Sequence, residues 1–248
     1  MAITYRSISS ASKLTTTTGS FTLNAPAGPT TDDLLVACIM FRGGTTPSIP
    51  STWNIINRTQ VTGNTNTNNA AIGSGLMAWT KVSGTVDYVF GDVTGEQFVN
   101  IAFGYVVRID GQDLTDPVAG TSVNTLSTGS NGLITTGGYT RSFATDIAND
   151  YIEIMLCMGG QEGSGNGPAW NTQEYTTGSV AMTELVDDTT TSGADGSAAV
   201  ARSTTVGDTT GGFDATATLS INARSSLMVA SFGGPRPAAA GYSFSTFF

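Results

Sequence analysis

The stretch from Asp32 to Gly44 limits what this chain can become more than any other. Two acids, Asp32 and Asp33, lead into eight apolar residues from Leu34 to Phe41, and Gly43-Gly44 closes the run. Eight residues suit a strand better than a buried helix. Apolar side chains on both faces belong to a strand covered on both sides. The composition points the same way. Charged residues make up 12% of the chain, Lys13 and Lys81 are the only lysines, and Thr, Ser, Gly and Asn fill the surface role. Little remains to build helices, whereas Thr, Val, Ile and aromatics favour half-buried strands and Gly and Asn supply turns. The fold class is all-β.

A second version of the opening stretch follows at 149–160, where Asn149-Asp150 leads into Tyr151–Met158 and Gly159-Gly160 ends it. Each run carries one cysteine, Cys38 or Cys157. Asp150 falls 117 residues after Asp33, and Trp170 falls 117 after Trp53. Ser197–Thr205 answers Leu76–Val82, Phe213–Leu219 answers Val86–Phe90, and Leu227–Gly234 answers Phe98–Gly111. Leu76–Val82 and Val86–Phe90 read as a hairpin about Gly84, and Asp110-Gly111 is a strong turn signal. These recurrences predict an antiparallel β-sandwich of jelly-roll or Greek-key type, built by internal duplication. Its expected parts are an extended N-terminal arm with the first strands (1–31), one sandwich (32–237, half-repeats about 32–117 and 118–237) and a C-terminal tail (238–248). Two tandem sandwiches meeting near Asp116-Pro117 are the alternative, but no Pro/Ser-rich linker marks that boundary.

Several chemistries are disfavoured at once. The formal net charge is −9, which opposes nucleic-acid binding and repels an anionic membrane surface. There is no histidine, so the usual general base, the Ser-His-Asp arrangement and the commonest metal ligand are missing. Cys38 and Cys157, inside apolar runs, read as buried free thiols, with an inter-sheet disulfide as the alternative. The glycine-rich 159–165 segment follows a strand but leads into neither a helix nor a lysine, so it reads as a loop and not a phosphate cradle. Glu153 and Glu184 are the candidates for a glycosidase carboxylate pair, although an outward polar residue on a half-solvated sheet is the simpler account of Glu153. Asp110, Asp113 and Asp116, and Asp187, Asp188 and Asp195, offer oxygen ligands for calcium without the EF-hand spacing. Trp53 and Trp170 could stack on sugars, but their repeated position favours core packing. The expectation is a non-enzymatic protein with no catalytic residues, no cofactor and no metal. Neither a signal peptide nor a membrane span is expected from the sequence.

The end of the chain differs in character. Pro235 and Pro237 stop the last strand, Ala238–Gly241 make a spacer, and Tyr242–Phe248 alternate aromatic and small polar residues. Aromatics on a free tail are costly to leave in water, so Tyr242, Phe244, Phe247 and Phe248 are the candidate partner-docking residues.

The order of these pieces resembles a group of β-sandwich proteins encoded in bacteriophage and prophage structural regions. The shared features are the Asp-Asp-Leu-Leu-Val-Ala strand, a Pro-rich loop before Trp53, the strand ending Trp79-Thr80-Lys81-Val82, and the Arg108-Ile109-Asp110-Gly111 ending before Asp116-Pro117. Ser51-Thr52-Trp53 departs from the family's Pro-Gly-Trp turn, and Met77-Ala78-Trp79 from its aromatic pair. The resemblance implies a virion structural component, assembled in the host cytoplasm. A capsid decoration (cement) protein is the leading expectation, and a tail or fibre protein with a carbohydrate or receptor-binding role is the alternative. Expected partners are capsid or tail proteins of the same virion and further copies of the chain, as a trimer or dimer. A surface glycan at the Thr/Asn-rich loop 62–72 belongs to the alternative.

Overall fold

The structure is a computed structural model that describes residues 3–14, 20–41, 48–59, 74–91, 102–113, 115–135, 139–140, 151–161, 170–175, 182–190, 195–203, 212–213 and 215–234. Every regular element among them is a β-strand. The first half holds β1 (Thr4–Ile8), β2 (Ser12–Leu14), β3 (Ser20–Thr22), β4 (Leu34–Phe41), β5 (Asn54–Thr59), β6 (Ser74–Lys81), β7 (Val89–Gly91) and β8 (Ala102–Asp110). The second holds β9 (Val118–Thr135), β10 (Tyr139–Thr140), β11 (Tyr151–Gln161), β12 (Trp170–Tyr175), β13 (Met182–Thr190), β14 (Asp195–Ser203), β15 (Gly212–Phe213) and β16 (Ala215–Gly233).

Two six-stranded antiparallel sheets result. The first runs β1-β8-β4-β6-β5, with β2 continuing along β8 beside β1. The second runs β12-β16-β11-β14-β13, with β9 along the other edge of β16. The apolar run of the opening stretch is a central strand. β4 pairs over its whole length with β6 on one side and β8 on the other. β11 is flanked in the same way by β14 and β16. Two short pairs, β3 with β7 and β10 with β15, complete the pattern.

Because side chains alternate along a strand, β4 serves two cores. Leu34, Val36, Cys38 and Met40 face the second sheet and join Phe103, Tyr105, Val107, Ile152, Ile154, Leu156, Met158, Val200, Met228 and Phe232 in one buried cluster. Leu35, Ala37, Ile39 and Phe41 face away and meet Phe21, Leu23, Trp53, Leu76 and Phe90. Burying each Leu, Ile or Phe here stabilises the fold by about 1.5–3 kcal/mol. The sheets approach so closely that a Cβ on Gly75 would lie 2.0 Å from the Met158 sulfur.

Several expectations fail. Leu76–Val82 and Val86–Phe90 do not form a hairpin, because β6 pairs with β4 and β5 while β7 pairs with β3. A hairpin signal reads only local turn chemistry, and burial of both faces of β6 demanded long-range partners. The first strands expected within 1–31 are present, and they are built into the body. β1 and β2 form the edge of the first sheet, and Ile3 is fully buried. The 117-residue spacing also misaligns the halves. It sets Leu34, which faces the shared core, against Tyr151, whose strand turns Ile152 and Ile154 to that core. An odd offset exchanges the two faces of a sheet, so it cannot relate equivalent strands. Cys38 therefore faces the second sheet, whereas Cys157, between Leu156 and Met158, points to the opposite face. Trp170 opens β12, which pairs with β16, while the strand that occupies the place of β5 beside the central pair is β13.

Candidate functional site

The two acids of the opening stretch close the end of the first sheet. Asp32 adopts a left-handed backbone, with φ of 74°, and its N–H and the carbonyl of Asp33 bond to Val82 across the strand ends. Asp33 is buried. One of its carboxylate oxygens accepts from the Arg108 Nε at 2.8 Å and from the Thr30 hydroxyl at 2.9 Å. Arg108 also donates to the Ala27 carbonyl at 3.0 Å. The pair ties the segment before β4 to the end of β8, a structural latch whose charges satisfy each other out of water.

Polar contacts then join the two sheets at both of their long seams. At one seam the Asn57 amide of β5 donates to the Thr121 hydroxyl of β9 at 3.2 Å. The other seam is richer. Lys13 on β2 lies 2.5 Å from one Asp188 carboxylate oxygen on β13, and the Tyr105 hydroxyl on β8 donates to the other at 2.9 Å. The Lys13 ammonium also stands 5.5 Å from the centre of the Phe103 ring. The Tyr105 side chain is fully buried. Burial first, and then the Asp188 charge, push its hydroxyl far above the usual phenol range, so it remains a proton donor. Next along the seam, the Arg202 guanidinium of β14 covers the Tyr5 ring of β1 at 4.6 Å. Arg6 reaches Asp110 at 2.6 Å and holds that carboxyl below its ordinary range.

The residues singled out from the sequence are scattered. Glu153 is fully buried on β11, on the face turned away from the first sheet, and accepts from the Ser231 hydroxyl at 2.9 Å. Glu184 is exposed on β13, and β14 runs between the two strands. An outward, solvated Glu153 is thus the wrong picture. Asp113 accepts from the Thr115 and Asp116 N–H groups in its own turn, and Asp188 is taken up by Lys13 and Tyr105. Among the described residues no group of three or more His, Cys, Asp or Glu is placed to hold a metal ion. Trp53 is buried, its ring edge-on to Phe90 at 5.4 Å, and its indole N–H donates to the Asp87 carbonyl at 2.7 Å. It packs a core and offers no sugar platform. The Trp170 side chain, the 62–72 loop, and Tyr242, Phe244, Phe247 and Phe248 lie outside the described residues. Both thiols are free and buried, and burial pushes each well above the usual thiol range. Among the described residues no helix is long and apolar enough to cross a membrane.

Sequence reading missed Arg108, Tyr105 and the Lys13–Asp188 contact. Only the rarity of lysine could have marked Lys13, since its partner is 175 residues away. The chain matches no family model, and neither a curated protein nor a solved structure matches it.

Proposed function

We propose that this chain is a non-enzymatic bacteriophage virion protein, and within that class a capsid decoration (cement) protein that stabilises the particle through protein–protein contacts. The observation that carries the reading is the double-sheet body. One continuous core fills the space between the sheets, and polar contacts fasten both seams. Such a body suits passive load bearing. The sequence resemblance to phage structural proteins supplies the setting, and the alternating aromatic tail supplies a docking element of the strand-adding kind.

The same reading takes the body as a jelly-roll-like sandwich that arose by duplication. What supports this is the matched strand order. In each sheet the central strand is flanked by the eighth and the sixth strand of its own half, β8 and β6 in one and β16 and β14 in the other. The face alternation requires an even offset, and 118 places Leu35 against Glu153 and Leu34 against Ile152, each on its proper face.

Deletion of residues 238–248 tests the proposal. The truncated protein is expected to keep its circular-dichroism spectrum and melting temperature while disappearing from purified particles, measured by quantitative mass spectrometry. Normal occupancy of the particle by the truncated chain would remove the tail from the docking role.

A further inference from the structure

We propose that Lys13 and Asp188 become joined by an intramolecular isopeptide bond that locks the first sheet to the second. This goes beyond the virion reading and does not depend on it. The contact sets an amine beside a carboxylate that a second donor also holds. The Lys13 Nζ lies 2.5 Å from the Asp188 Oδ1, within hydrogen-bond reach. The other oxygen, Oδ2, is held by the Tyr105 hydroxyl at 2.9 Å. That donor comes from a fully buried side chain and is fixed before any reaction, the arrangement that stabilises negative charge on an oxygen most effectively. The Phe103 ring flanks the amine and screens it on one side. The pair stands at the rim of the seam, where both side chains are partly exposed, so the released water has a way out.

The chemistry balances without an oxidant or a co-reactant. A proton passes from the Lys13 ammonium to Oδ1 along their hydrogen bond, leaving a neutral amine and a neutral acid. The nitrogen lone pair attacks the Asp188 Cγ, and the tetrahedral carbon that forms carries its charge on Oδ2, under the Tyr105 hydroxyl. The Cγ–Oδ1 bond breaks, and Oδ1 leaves as water carrying two of the three ammonium protons. The third stays on the amide nitrogen. Oδ2 becomes the amide carbonyl and keeps its hydrogen bond from Tyr105. Proximity converts an otherwise bimolecular condensation into a unimolecular one. The product would tie β2 to β13 across 175 residues of chain, doing for a protein with two unbridged thiols what a disulfide does elsewhere.

Intact-mass measurement of the full purified chain decides the matter. The expected result is a mass lower than the sequence mass by one water, with Lys13→Arg and Asp188→Ala each restoring the full value. A lysine-specific protease should cut after Lys81 and fail to cut after Lys13, giving a branched peptide that contains both Lys13 and Asp188. An unmodified intact mass in the wild-type chain would overturn the proposal. So would a one-water deficit that persists in Lys13→Arg, because that loss would come from dehydration elsewhere, as at Asp110-Gly111. Should either variant fail to fold, the wild-type mass and its peptide map still return the answer.

Discussion

The first and second sheets share a core, yet they treat their outward faces differently. Behind β4 the outward residues Leu35, Ala37, Ile39 and Phe41 meet Phe21, Trp53 and Phe90 in a cluster that is apolar throughout. Behind β11 the corresponding face is as deeply buried but carries Glu153, Ser197, Ser203, Ser225 and Ser231. Hydrogen bonds connect three of these residues. Ser231 donates to Glu153, and the Glu153 N–H donates to the Ser203 hydroxyl at 2.9 Å. One backbone plan thus supports two solutions to covering a sheet. Apolar cover tolerates changes of shape poorly, whereas polar cover tolerates no loss of a partner.

Exchanging the two solutions gives the largest expected effect. Leu35→Glu places a carboxylate where the surroundings are Phe21, Trp53 and Phe90, and it should cost several kcal/mol, enough to unfold a marginal domain. The reverse change, Glu153→Leu, should cost less, about 1–3 kcal/mol, because it leaves the Ser231 hydroxyl without its acceptor but buries no new charge. Urea denaturation of the two variants measures the difference. Equal losses would mean that the faces are not distinct environments.

Arg108→Ala comes next. It leaves Asp33, which is 2% exposed, without its cation and is expected to cost about 3–5 kcal/mol. Replacement of both Arg108 and Asp33 by apolar residues of similar size should recover much of that loss in the same denaturation assay. A double variant as unstable as Arg108→Ala would show that the latch matters for its hydrogen bonds to Thr30 and Ala27 and not for the charge pair.

The smallest effect concerns acid. Arg6 lowers the Asp110 carboxyl, through a hydrogen bond first and its charge second, so this group binds its proton less readily folded than unfolded. Its contribution is present above the unfolded value and is lost as pH falls through the folded one. The pair is exposed on both sides, and solvent screening holds it to about 0.2–1 kcal/mol. Arg6→Ala should therefore lower the melting temperature slightly at neutral pH and by less in strong acid. An equal deficit at both pH values would assign the loss to packing of the arginine stem.

Much of this was legible in the chain itself. Leu34–Phe41 announced a central strand because only a strand covered on both faces can be apolar at every position, Tyr151–Met158 announced another by being apolar but for Glu153, and both are flanked on both sides. Trp53 was legible as a core residue for a similar reason. The seams were not. Lys13 meets Asp188, and Arg108 meets Asp33, across separations of 175 and 75 residues. Local pattern carries no information about which distant strand edge will come alongside. The misassigned hairpin and the odd repeat offset have one cause: periodicity shows that a strand has two faces but not which face meets which sheet.

Composition and patterning by themselves determined an all-β chain with two buried central strands, since threonine, glycine and two short, dominantly apolar runs permit little else. Tertiary structure alone decided that β1 and β2 close the first sheet, that Glu153 is buried while Glu184 is exposed, and that Lys13, Tyr105 and Asp188 converge on one seam. Those outcomes depend on the stacking of two sheets, which is set by the sum of many weak apolar contacts between residues far apart in the chain.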